Sequence, residues 1–236
     1  GRTEKAQLTL DTTGKDGAAD DASKLGIGHV VAKDDKEAME QVRKLLAVLP
    51  SNNLAGAPVF ESSDSAEAAL AAGADAKKVV EAISDKGSFV ELNSAFGTSA
   101  VTGLAKIDGS TVGIVALNGV LDADSCSKAA RFVRFCDAFS IPVVTLVDAK
   151  EFTSVREAAK LSNAYSEATT AKITVITGEA YGPVYIAVAG RGANADSTLA
   201  WANAVVCTLA PQTAAMFLWS DRLKTPGHTT EERKKL

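Results

Sequence analysis

Histidine and cysteine are scarce in this chain, with two of the first and three of the second among 236 residues. His29 and His228 stand far apart, so a histidine-rich metal centre finds no support. A Ser-His-Asp triad would have to recruit one of these two. Cys126, Cys136 and Cys207 show neither metal-type spacing nor an even number to pair. Each reads as a small buried hydrophobe in a reducing cytoplasm. No stretch of 18 consecutive apolar residues occurs, and the N-terminus has no apolar signal core. There is no Gly-x-Ser-x-Gly elbow and no Walker loop. Gly190-Arg191-Gly192 lacks the third glycine of a dinucleotide fingerprint. A net charge of −4 without a long basic run gives no support for nucleic-acid binding.

What is present fits a globular protein. Hydrophobic residues make up 46% and charged residues 23%, which excludes a disordered chain or a disulfide scaffold. The chain opens on Gly1-Arg2 and closes on the charged stretch Glu231 to Lys235. Both ends read as cuts, so the expectation is a fragment, a processed chain or one piece of a split protein.

Residues 1–24 are polar and read as loop. Gly28 to Ala32 reads as a short strand with His29 near it as a structural or surface histidine. Asp34 followed by Glu37 forms a capping box, and Ala38, Val42, Leu45, Leu46 and Leu49 have helical spacing up to Pro50. Residues 51–74 are rich in Pro, Ser, Gly and Ala and read as a linker at a domain boundary. Asp75 caps a helix whose face is Val79, Val80 and Ile83. Phe89 to Leu92 alternates as a strand does. Ala100–Ile107 and Thr111–Asn118 flank Asp108-Gly109, a hairpin signal.

From Asp124 helix and strand alternate. Asp124 or Ser125 is the expected cap, and Ala129, Phe132, Val133, Cys136 and Phe139 form the apolar face. Val143–Val147 is a continuous apolar run, as in a strand buried on both faces. Thr153 or Ser154 caps a helix to about Thr169. Ile173–Ile176 is a second buried strand. Pro183 suits the first turn of a third helix, because its missing N–H costs no internal bond there. Ala204–Leu209 reads as another buried strand, and Pro211 opens a helix through Met216 and Leu218. This is an α/β layout. The leading hairpin argues against a simple doubly wound sheet, and repeated strand–strand–helix turns can stack as a spiral.

Few side chains offer chemistry. Asp148 and Glu151 follow a buried strand, where open α/β sheets place ligands; as acid–base groups they would make a hydrolase or isomerase. Their plainer reading is a cap or a solvated acid. Arg131 and Arg134 reach toward a phosphate or carboxylate, or serve a surface. The turn at Gly182 aims backbone N–H groups at a developing negative charge, or is simply tight.

At these residues the sequence resembles the carboxyltransferase subunit family of biotin-dependent acyl-CoA carboxylases and decarboxylases. That family includes propionyl-CoA carboxylase beta, methylmalonyl-CoA carboxyltransferase and glutaconyl-CoA decarboxylase alpha subunits. The most specific match is Ala130 through Phe139 with Ile141-Pro142. Gly109 to Val115, Ala164 to Thr169 and Lys172 to Thr177 also fit. The resemblance implies an α/β crotonase-like spiral. It implies that residues 1–50 are the tail of an acyl-CoA-binding N-terminal domain, and that 75–236 form the biotin-facing C-terminal domain. It implies a coenzyme A thioester as substrate, biotin on a biotin carboxyl carrier protein or domain, and a missing N-terminal half or sister subunit. A homo-oligomer from dimer to hexamer is implied as well.

In the family, backbone amides stabilise enolates of the thioester and of biotin. The biotin-side amides map to the turn Ala149-Lys150-Glu151-Phe152 and to Tyr181-Gly182-Pro183-Val184. Both depart from the usual pattern. Pro-Gly-Phe becomes Lys150-Glu151-Phe152, and the second Gly of Tyr-Gly-Gly-Ala becomes Pro183, which has no N–H. Phe152 and Val184 keep theirs. The departures raise a non-catalytic scaffold as the alternative expectation.

Overall fold

The computed structural model describes residues 10–11, 18–62, 75–190 and 193–218. The first elements are Leu10–Asp11 (β1), Ala18–Lys24 (α1), Val30–Val31 (β2) and Asp35–Val48 (α2). β1 pairs with β2 in parallel. Asp34 caps α2 through Oδ1, which accepts from the Glu37 N–H at 2.8 Å. Glu37 reaches back one residue further than a standard capping box, accepting from the Lys33 N–H at 2.9 Å. Leu45 and Val48 of α2 are buried in the main core.

Ala76–Ile83 (α3) begins at Asp75, whose carboxylate accepts from the Lys77 N–H. Val90–Leu92 (β3), Ala100–Ile107 (β4) and Ser110–Leu121 (β5) form an antiparallel meander. The β4–β5 turn has Asp108 at φ 50° and Gly109 at φ 73°, a primed turn at the hairpin the sequence calls for. Both N–H groups of that turn donate to the Asp85 carboxylate. A side chain at Gly109 would run into the Phe60 carbonyl, and the Phe60 N–H donates to the Gly109 carbonyl at 3.0 Å.

Ala123–Ala138 (α4), Val143–Phe152 (β6), Val155–Glu167 (α5) and Lys172–Tyr181 (β7) follow. A π-helical turn, Tyr185–Ala189, then leads to Ser197–Ala200 (β8), Val205–Cys207 (β9) and Pro211–Leu218 (α6). The main sheet runs β3-β4-β5-β6-β7-β8, with β9 also on β7. The pairings β5–β6, β6–β7, β7–β8 and β7–β9 are parallel.

The long strands are not straight. The β5–β6 register shifts between Gly119 and Val120, and the β6–β7 register between Val147 and Ala149. β8 pairs with Ile173–Ile176, while β9 pairs with Glu179–Tyr181 of the same strand. A line of bends thus crosses the sheet, and each long strand acts as two. Strand, strand, helix is the repeat, and the fold is the crotonase-like spiral that the family resemblance implies.

Side-chain alternation divides the core. Val115, Leu117 and Val147 face α4 and α5, packing with Val133, Cys136, Leu161 and Tyr165. Ile114, Ala116 and Leu146 face the other way, onto Val79 and Val80 of α3. Gly113 lets α4 come close, since a Cβ there would sit 2.4 Å from Cys136 Sγ. A buried hydroxyl pair in this packing, Thr145 and Tyr165, is joined at 2.8 Å.

Four expectations are corrected. Residues 18–24 are helix rather than loop: α1 is closed by backbone bonds from Leu25 and Ile27 and by Gly26 at φ 71°. The cap of α4 is Asp122, whose Oδ1 accepts from the Ser125 N–H at 2.7 Å; Asp124 lies inside the first turn. Ala149–Phe152 is not a turn but the end of β6, because β5 continues to pair with it as far as Leu121. The strand at 205–207 is not buried, with Val205 and Val206 37% and 42% exposed, since it pairs with only the end of β7. Residues 63–74 of the expected linker, Arg191-Gly192, His228 and Glu231 to Lys235 lie outside the described residues.

Lys128 of α4 is 3% exposed, and its Nζ donates to the Ala100 carbonyl at 2.6 Å. Burial lowers its pKa to about 8, against the opposing pull of Glu91 and Asp122. The folded state therefore binds this proton less tightly than the unfolded chain. Between pH 8 and the ordinary lysine range, Lys128 contributes stability that rises with pH. Urea unfolding of the wild type and of Lys128→Met across this window is expected to show the wild type gaining relative to the variant. A constant difference would rule this out.

Candidate functional site

The two segments singled out in the sequence meet at the carboxyl ends of neighbouring parallel strands. Ala149 of β6 pairs with Ala180 of β7, the last pair before the strands part. Lys150 Nζ lies 2.7 Å from Glu179 Oε2 just beyond it. The Glu179 carboxylate, through its hydrogen bond and its charge, raises the Lys150 pKa and keeps the ammonium protonated.

Phe152 ends β6. The Thr153 N–H donates to the Leu121 carbonyl at 3.0 Å, so the alternation of the strand turns the Phe152 N–H away from β5. It points to the β7 side, past the last β6–β7 pair. The Phe152 ring is half-buried against the main core.

Tyr181 ends β7, and Gly182 follows at φ 59° with open space where a Cβ would stand. The Gly182 N–H is already engaged, donating to the Cys207 carbonyl of β9 at 3.1 Å. Pro183 has no N–H. Val184 is fully buried, with helical φ and ψ, in the first turn of the helical segment, where N–H groups have no acceptor behind them in the helix. The Ile186 N–H donates to the Gly182 carbonyl. Gly182 thus contributes its left-handed backbone and the free space beside it, while its own amide is spent on Cys207.

The remaining candidates take structural parts. Asp148 Oδ1 accepts from the Glu179 N–H at 2.8 Å. Glu151 is exposed on β6. Arg131 donates to the Gly26 carbonyl at 3.1 Å, and Arg134 to Asn163 Oδ1 at 3.4 Å, so neither is held for a phosphate. His29 sits near Arg131, and burial first, then that guanidinium, lowers its pKa. Sequence reasoning missed both the Asp148–Glu179 bond and the Lys150–Glu179 pair. The available signal was Gly178, a glycine within a β-rich run, which marks a close approach. Among the described residues no group of three or more His, Cys, Asp or Glu could hold a metal ion. None of their helices is long and apolar enough to cross a membrane.

Comparison with known proteins decides the lineage. A family model, the carboxyl transferase domain, matches residues 9–236. The chain belongs to the carboxyl transferase domain family. It is 36% identical to the propionyl-CoA carboxylase beta chain of Saccharopolyspora erythraea, over 92% of this chain and 46% of that one. It is 35% identical to the methylmalonyl-CoA carboxyltransferase 12S subunit of Propionibacterium freudenreichii subsp. shermanii, over 92% and 48%. Among solved structures it is similar to the hexameric transcarboxylase 12S with methylmalonyl-coenzyme A bound. That likeness has a TM-score of 0.82 at 33% identity, over 92% of this chain and 46% of the other. A single-chain long-chain acyl-CoA carboxylase shares the fold, with a TM-score of 0.72 at 22% identity. The chain spans about half the length of the curated relatives it matches.

The three thiols of this carboxyl transferase domain chain differ sharply. Cys136 is fully buried, and burial pushes its pKa up; Cys126 is raised to about 12 by burial, with Asp122 adding to the effect. Cys207, beside the Gly182 turn, is only half-buried. Under native conditions iodoacetamide is expected to label Cys207 first, with Cys126 and Cys136 reacting only on unfolding. Peptide mass spectrometry reads the order, and early labelling of Cys136 would contradict the buried placement.

Proposed function

We propose that this chain is the biotin-facing part of a carboxyltransferase. It moves a carboxyl group between carboxybiotin and an acyl-CoA such as propionyl-CoA or methylmalonyl-CoA. The observation that carries the reading is membership of the carboxyl transferase domain family over nearly the whole chain. Relatives named for propionyl-CoA and methylmalonyl-CoA chemistry, and a bound methylmalonyl-coenzyme A in a structural neighbour, support the substrate class.

The residues present fit biotin as a group delivered from outside. Open space beside Gly182 leaves the turn accessible, and Phe152 and Tyr181 flank the approach from β6 and β7. When bound there, biotin supplies the ring nitrogen that carries the carboxyl group. The chain's own part is electrostatic. The reading assigns oxyanion stabilisation to the Phe152 amide, beyond the last β6–β7 pair, and to the Val184 amide, at the start of a helical segment, without any side-chain acid or base. Tyr181 and Gly182 shape the surface that the ring meets.

The same reading assigns residues 1–50 to the tail of an acyl-CoA domain, 51–74 to a linker and 75–236 to the carboxyltransferase domain proper. It calls for a biotin carboxyl carrier protein or domain, an acyl-CoA-binding half or sister subunit, a homo-oligomer and a cytoplasmic setting. The hexamer of the transcarboxylase 12S neighbour supports the assembly.

The test uses the complete polypeptide or assembly that contains this segment. Supplied with malonyl-CoA or methylmalonyl-CoA and free biotin, it is expected to release carbon dioxide only when biotin is present. Absence of turnover across a range of acyl-CoAs, from folded and oligomeric protein, would overturn the proposal. Pro183→Gly adds one amide to the turn and is expected to raise kcat by up to about 10²-fold, the value of one oxyanion donor.

A further inference from the structure

The β6–β7 ladder carries a defect of unusual size. Val147 pairs with Ile176, and the next pair is Ala149 with Ala180. Asp148 alone therefore faces Thr177, Gly178 and Glu179. Such a bulge leaves backbone groups without ladder partners, and in a half-buried place each must find another.

Asp148 supplies the partner. Its Oδ1 accepts from the Glu179 N–H at 2.8 Å. The carboxylate fills the space where a side chain at position 178 would stand: a Cβ on Gly178 would lie 2.2 Å from Oδ1 and 2.3 Å from Cγ. Contacts that close are not found in folded proteins, so the carboxylate can stand here only beside a glycine at 178. Thr177 closes the bulge from the other side, donating through Oγ1 to the Val147 carbonyl at 3.3 Å. Glu179 is then held twice, at its N–H by Asp148 and at its carboxylate by Lys150.

This clamp stands between the two amide-bearing segments. On one side Asp148 leads through Lys150 to Phe152. On the other, Glu179 leads through Tyr181 to the Gly182 turn and Val184. We infer that Asp148 is a positioning residue: its bond to the Glu179 amide sets the distance between the Phe152 and Val184 amides. The inference rests on the carboxyltransferase reading for its catalytic consequence, but not for its structural content. It also gives Asp148 a different part from acid–base catalysis, because the oxygen facing β7 is already an acceptor. Amides that stabilise a transition state act only when held in place, and a misplacement of about 1 Å costs roughly 10²-fold in rate.

The experiment compares Asp148→Ala, Asp148→Asn and Gly178→Ala in the complete protein. Three readings are taken: biotin-dependent decarboxylation of methylmalonyl-CoA, thermal melting, and amide exchange of residues 177–184. Asp148→Ala is expected to lower kcat by about 10²-fold while KM for the acyl-CoA stays within about twofold, the pattern of an interaction lost in the transition state. Asp148→Asn keeps an acceptor oxygen at the same reach and is expected to recover most of kcat. Gly178→Ala, which displaces the carboxylate with Asp148 still present, is expected to reproduce the alanine phenotype. Exchange should accelerate in the first and third variants and not in the second.

Unchanged kcat in Asp148→Ala would overturn the inference. So would an asparagine variant as impaired as the alanine one, which would make the charge or proton of Asp148 the active element. Should the wild type show no turnover, the carboxyltransferase reading falls by itself. Amide exchange then decides the clamp, and unchanged exchange in Asp148→Ala would overturn it. If Asp148→Ala does not fold, Gly178→Ala against Asp148→Asn carries the same comparison.

Discussion

A parallel sheet can bend only by giving up ladder hydrogen bonds where it bends, and every freed amide or carbonyl then needs another partner. In this chain the bends of β5, β6 and β7 fall side by side, at Gly119–Val120, Val147–Ala149 and Thr177–Glu179. The freed groups near that line are met by side chains and by loops. Asp148 takes the Glu179 N–H, and Thr177 donates to the Val147 carbonyl. The spiral depends on this line, because it lets one long strand serve two directions. Helices α4 and α5 then pack on one side of the first halves and α3 on the other, and the second halves carry the rim.

The same constraint generates the candidate chemistry. The proposed reading assigns that chemistry to backbone amides just past the line, at Phe152 and in the first turn after Gly182. A site of this kind works through the backbone, which suits a chain with two histidines. It does need rigidity, since an amide stabilises charge only where it is held. The α4–α5 side of the sheet supplies it through buried packing around Val133, Leu161 and Tyr165, with Val184 in the same core. Gly182 has a narrower part than its sequence context implies. Its amide is consumed by Cys207, and its contribution is a left-handed backbone with free space beside it.

Much of the scaffold was legible because its signals are local. Asp34 with Glu37, Asp75, Asp108-Gly109 and Ser154 each announce a cap or turn within a few residues, and each stands where the sequence places it. The misplaced cap of α4 shows the limit of such signals. Asp122, Asp124 and Ser125 all carry capping oxygens, and only the direction of the chain leaving β5 selects Asp122. β9 shows another limit. Val205 and Val206 have the apolarity of a buried strand, yet they are exposed, because exposure depends on what packs on a strand and not on its composition.

The sequence by itself determined the alternation of helix and strand, the caps, the primed turn and the family, since these are written in near neighbours and in ordered motifs. Only the tertiary structure decided that Ala149–Phe152 continues β6, that Gly182 spends its amide on Cys207, and that Asp148 meets Glu179. These depend on register between strands about thirty residues apart. A register is chosen by the simultaneous fit of both faces of a sheet, so no short window of sequence contains it.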